Sequence, residues 1–382
     1  MNRRPVALDA PSARRRPMRR AILLALAAVV LGALGVLAWK LFAPAPSSYD
    51  ALDATDREML RQLSEQYDVT ASRGDAVWTD GYQYEQQPIV LLRTDGEKSP
   101  IWSHAFLVNM SGVTDTTGMA KIDVPGATHL DDVRISDSFG AGDAALHLPA
   151  NFSPIEVDGR EVLAFKYHDA MLQTESTTSQ GFQRFSMHEN FHVTKQGIDS
   201  TAAGAWPWEA GGLIEDYPHT EEHYELLRVE ARIFDRVENE TDPQVLSALA
   251  TDLANVRMAR YTTWPTLRLE IELEAIEGTA TYFERAFDRA RGLHPKVSTF
   301  ADGLELFISD PEQNVVLERD YAYFTGAQLG LLLDTVAPEW QQSIEPAPSG
   351  EAATPFATLQ RATGVTVAPD EAELRAIVDR YL

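Results

Sequence analysis

Five consecutive residues, His188-Glu189-Asn190-Phe191-His192, carry the sharpest chemical signal in this chain. On a helix, residues four apart share one face, so both imidazoles can reach a single metal ion. Glu189, one residue beyond the first histidine, points to the side. There it can take a proton from a metal-bound water. One zinc ion would lower the pKa of that water toward neutrality and make hydroxide available. A satisfied pair of histidines on an amphipathic helix is the bland alternative. Phe182 and Phe185 place an apolar face beside the histidine stripe, and buried imidazoles there need polar partners.

A catalytic zinc takes three protein ligands and keeps one open position. Glu277 stands downstream in a helical pattern, Glu274-Ala-Ile-Glu277-Gly278-Thr-Ala-Thr-Tyr282-Phe-Glu284. Glu274 shares its face one turn earlier. Glu209 and Glu215 lie closer to His192, among Trp, Pro and Gly. A rival cluster, His219-Thr-Glu-Glu222-His223, has the inverted His-x-x-Glu-His order. It follows Pro218 and opens a Glu-rich stretch, so it reads as a solvated first helical turn. Glu230, on that same helix, is a candidate partner for a zinc-bound histidine. His104, His129, His147, His168 and His294 show no ligand spacing and read as structural or surface residues.

Taken together, the His-Glu-x-x-His run, the later Glu277-Gly278-x-Ala280-x-Tyr282 and Tyr323-Phe-Thr-Gly326 resemble the gluzincins, zinc metallopeptidases whose third ligand is a glutamate. The resemblance covers roughly residues 180–335. It implies that His188, His192 and Glu277 hold one Zn2+ and that Glu189 is the general base. It implies that Tyr323 donates a hydrogen bond to the oxyanion of the tetrahedral intermediate. Gly278 would let its helix approach the metal-binding helix closely. An edge strand before the metal helix would pair with an extended peptide substrate, and 162–167 is the candidate. Two features depart from the pattern. Eighty-four residues separate His192 from Glu277, a gap that two extra helices could fill. The Gly-x-Met-Glu-Asn loop of aminopeptidases is absent.

The elements that must position these groups are legible in outline. Helical spacing covers 49–67, and strand-like runs occupy 88–93 and 105–109. Two further runs, 155–157 and 162–165, flank Asp158-Gly159, a hairpin signal. From about 176 the chain reads as helices: 180–196, with Gly197 at the C-cap, then 219–238, 242–258, 266–290 and 322–336. Residues 343–355 read as a linker and 370–382 as a last helix. The expected class is α+β, with a β-rich part over 43–175 and a helical, zincin-like catalytic part over 176–382.

Length and charge bound the rest. The 382 residues are 44% hydrophobic and 24% charged, so a folded chain is expected. The absence of cysteine excludes a disulfide framework, a cysteine nucleophile and a thiolate metal site. The net charge of −24 argues against nucleic acid as a partner. The first 42 residues nevertheless carry seven Arg and Lys40 against Asp9, a net +7, leaving −31 on the body. Residues 1–20 form a basic tail, and 21–42 contain an uncharged run from Ala21 to Trp39 long enough to span a bilayer. Arginines just before such a run stay cytoplasmic, which would put the body outside the cytoplasm. A cleaved signal peptide, with Ala43-Pro44-Ala45 as a small-x-small site, is the rival reading. The expectation is a membrane-anchored zinc metallopeptidase acting on peptides or proteins. A tethered non-enzymatic binding module and a zinc amidase on a non-peptide substrate are the alternatives.

Overall fold

The structure is a computed structural model, and it describes residues 44–78, 81–137, 150–174, 180–197, 205–208, 211–293, 299–347 and 352–382. The basic tail and the apolar run 21–42 lie outside the described residues, as do Glu209, His147 and His294. Among the described residues no helix is long and apolar enough to cross a membrane.

The chain is α+β, with one six-stranded sheet and many helices. It opens with helix α1 (Ala54–Val77), whose first turn is capped by the Asp53 carboxylate. This helix runs well beyond the 49–67 stretch, so the part expected to be β-rich begins with a long helix. The strands are β1 (Ile89–Thr94), β2 (Trp102–Val108), β3 (Ala120–Lys121), β4 (Val133–Ser136), β5 (Phe152–Val157) and β6 (Arg160–Tyr167), in the order β3-β4-β2-β1-β6-β5. β1 runs antiparallel to β2 and parallel to β6. Asp158 and Gly159, with φ of 48° and 81°, make the two-residue turn between β5 and β6. β6 therefore sits inside the sheet. The expectation that 162–167 forms an edge is wrong, because β5 covers it and is itself the edge among the described residues.

Strand side chains alternate between two apolar layers. Ile89, Leu91, Phe106, Val108, Leu163 and Phe165 join the main core beneath the helices. Val90, Leu92, Ala105, Leu107, Val162 and Ala164 form a smaller cluster with Met110 on the other face. Burial on both faces explains why β1 and β6 read as continuous apolar runs.

The helices after the sheet are α2 (Asp169–Gln173), α3 (Phe182–Phe191), α4 (Glu221–Asn239), α5 (Pro243–Thr263), α6 (Leu269–Leu273), α7 (Thr279–Ala290), α8 (Phe300–Ser309), α9 (Asn314–Leu317), α10 (Tyr321–Val336), α11 (Trp340–Ile344), α12 (Pro355–Thr363) and α13 (Glu371–Tyr381). α3 continues into a π turn, His192–Gln196, which ends at left-handed Gly197 as expected (φ 64°). A second π turn, Glu274–Gly278, joins α6 to α7. α4 and α5 pack on each other and occupy the sequence between α3 and the second π turn. Only the last two residues of α11 and the first of α12 overlap the stretch 343–355 read as a linker. One apolar cluster runs from Leu52 in the N-terminal part to Tyr381 in the last helix.

Candidate metal centre

α3 buries Phe182, Met187 and Phe191, and this turns His188 and His192 inward. Phe191 stacks on Phe283 of α7, ring centroids 4.8 Å apart, so α3 lies against the helix that follows Glu277. The three candidate ligands expected from the sequence meet there. His188 Nε2 and His192 Nε2 lie 3.2 and 3.1 Å from Glu277 Oε2, and 3.0 Å from each other. They are the group of histidines and acids among the described residues arranged to hold a metal ion. Bonds of roughly 2.0–2.1 Å to a tetrahedral zinc would set ligand atoms about 3.3 Å apart. The observed triangle is close to one face of that tetrahedron, so the donor set fits the ion in number, type and spacing.

The outer ring nitrogens support the same reading. His188 Nδ1 donates to Glu284 Oε1 at 2.7 Å. His192 Nδ1 donates to Gln196 Oε1 at 2.5 Å. Each bond fixes the tautomer that leaves Nε2 free to ligate, an arrangement usual in metal sites. Gln196 also donates to Ile276 O and Thr279 Oγ1, both at 2.9 Å. One amide thereby ties the end of α3 to the turn that carries Glu277. Neither partner was assigned from the sequence. The signals were present, since Glu284 lies two turns after Glu277 and Gln196 four residues after His192. Glu230, expected in this role, instead binds Arg257 and Arg260. It faces a different part of the core.

Charge concentrates at the site. Burial by itself would lower the His188 pKa, but hydrogen bonds to Glu277 and Glu284 more than offset it and raise the pKa to about 10. Burial by itself would raise Glu277, and the two imidazoles hold it far below the usual carboxylate range. Two imidazoles crowding one carboxylate oxygen require a proton or a cation among them. Glu189 is half-buried beside them, and burial raises its carboxyl above the ordinary range. Tyr323, in the first turn of α10, lies parallel to the His188 ring at 5.9 Å.

The remaining candidates separate cleanly. Glu274 accepts both terminal guanidinium nitrogens of Arg257, at 2.6 and 2.7 Å, and the Thr325 hydroxyl at 2.6 Å. Its oxygens are committed to that network. Glu215 is exposed and outside the group. His223 alone departs from the solvated turn expected for its cluster: it is fully buried, with Nδ1 donating to Pro218 O and Nε2 accepting from Arg260. The rest of that turn, His219 to Glu222, is exposed as expected. His104 pairs with buried Asp56, His168 caps α2, and His129 is exposed. Gly278 does allow a close approach, but to α10. A Cβ there would come 2.6 Å from the Gly326 Cα. Comparison with protein-family models, curated proteins and solved structures finds no match to this chain.

Proposed function

We propose that this chain is a zinc-dependent metallopeptidase of gluzincin type, held at a membrane by residues 21–42 with its catalytic part outside the cytoplasm. The observation that carries the reading is the convergence of His188, His192 and Glu277, with each outer imidazole nitrogen already paired. His188 and His192 would contribute Nε2, and Glu277 would contribute Oε2. Bound zinc would polarise the scissile carbonyl and acidify a water.

The chain's own groups supply the rest. Glu189 takes the proton from the attacking water and passes it to the leaving amine. Tyr323, beside His188, donates its hydroxyl to the developing oxyanion. Glu284 and Gln196 hold the imidazoles in orientation. Among the described residues β5 is the sheet edge, and it suits an extended peptide better than β6 does, because β6 is paired on both sides. β5 also reaches the metal helix, with Phe152 packed edge-on against Phe185 of α3 at 5.8 Å.

The test uses the full chain in detergent with three measurements: zinc per chain, peptide hydrolysis and circular dichroism. Wild type should hold one zinc and cleave unfolded protein. Glu277→Ala should lose the zinc while keeping its secondary structure. Glu189→Gln should keep the zinc and lose roughly 100-fold or more of the rate. Undiminished cleavage by Glu189→Gln would sink the mechanism. Failure of the wild type to take up zinc would sink the metal centre.

A further inference from the structure

The two oxygens of Glu277 have different partners. Oε2 faces both imidazoles, whereas Oε1 accepts from Arg319 Nη2 at 3.1 Å. Arg319 lies just before α10, and its other terminal nitrogen donates to Asp320 at 3.2 Å. The guanidinium also sits 5.4 Å from the centre of the Tyr323 ring. Tyr323 in turn lies parallel to His188. One arginine thus touches both the third candidate ligand and the candidate oxyanion donor. Sequence reasoning gave it no role.

A carboxylate with both oxygens free can bind a metal through either or both. Binding through both would occupy the position that a hydrolytic site must keep open for water or substrate. A guanidinium is suited to prevent this, because it is permanently charged and its donors have fixed directions.

We propose that Arg319 is a positioning residue that holds Glu277 Oε1, so that only Oε2 is offered to the metal and the fourth position stays open. The inference rests on the metal centre proposed above, and its failure can be told apart from failure of that centre.

Cobalt(II) can replace zinc as the probe, because its visible absorption is intense in four-coordinate sites and weak in five- or six-coordinate ones. The full chain in detergent is compared as wild type, Arg319→Met and Arg319→Lys, with circular dichroism confirming the fold. Arg319 is partly exposed, with a third of its side chain accessible, so both variants should fold. Wild type should show the intense four-coordinate spectrum. Arg319→Met should take up cobalt with a severalfold weaker band, and Arg319→Lys, which restores the charge but not the fork, should recover part of it. A wild-type spectrum in Arg319→Met overturns the role of Arg319 and leaves the metal centre standing. No cobalt uptake by the wild type overturns both.

Discussion

Two histidine pairs in this chain lie four residues apart, and their partners separate them. His188 and His192 turn Nε2 toward one carboxylate oxygen and give Nδ1 to an acceptor. His223 has Nε2 committed to Arg260 and Nδ1 to a backbone carbonyl, so it is neutral and cannot ligate. Burial, and then the Arg260 charge, push its pKa down to about 2. A histidine depressed in this way contributes stability that is present above its unfolded pKa, near 6.5, and lost as pH falls below it. Lowering the pH from 7.5 to 5.5 should therefore cost about 1 kcal/mol through this residue. Urea titrations at the two pH values should show that loss in wild type and a smaller one in His223→Gln. Equal losses in both would show that His223 protonates in place.

At the scale of elements, two π turns coincide with the candidate ligands, one starting at His192 and the other containing Glu277. A π turn adds a residue to the helical repeat and re-aims the side chains around it. The same region holds a close helix crossing, Gly278 against Gly326. A Cβ on Gly326 would stand 2.7 Å from the Gly278 Cα and 3.0 Å from the Glu274 Cα. These neighbours are backbone and cannot rotate away. Gly326→Ala gains about 1 kcal/mol in helix propensity but meets overpacking worth about 1–3 kcal/mol or more. The clash should win, and urea unfolding should show a net loss. On the proposed mechanism, the shift of α10 should also displace Tyr323 and slow hydrolysis. A stabilised Gly326→Ala variant would mean that the crossing yields easily.

Across the whole molecule, a buried ionic network joins α4, α5 and α10 to the turn that carries Glu277. Arg257 of α5 binds Glu230 of α4 and Glu274 of the second π turn, and Thr325 of α10 also reaches Glu274. Arg260 adds Glu230, Glu270 and His223. Such networks contribute little beyond a well-packed apolar core, yet removing one partner strands the others in low dielectric. Arg257→Met leaves Glu230 short of a partner and Glu274 with only Thr325. It should destabilise the protein by about 3–5 kcal/mol, read as a lower urea midpoint. A loss under 1 kcal/mol would show that water reaches the stranded carboxylates.

Much of this protein is legible in local signals. The hairpin at Asp158-Gly159, the stop at Gly197 and the main helices follow from turn chemistry and apolar period, which act over a few residues. The candidate ligand types also show locally, since His188 and His192 share a helical face. The Glu277-Gly278 motif points to Glu277 as the acid that joins them across 84 intervening residues, but Glu274, one turn earlier on the same face, stays open in the sequence. Tertiary packing made that choice by placing Arg257 against one and the imidazoles against the other. Packing likewise put β5 rather than β6 at the sheet edge, assigned Glu284 and Gln196 to the histidines, and drew Glu230 into the ionic network. Each of these depends on contacts between elements far apart in the chain, which local periodicity does not encode.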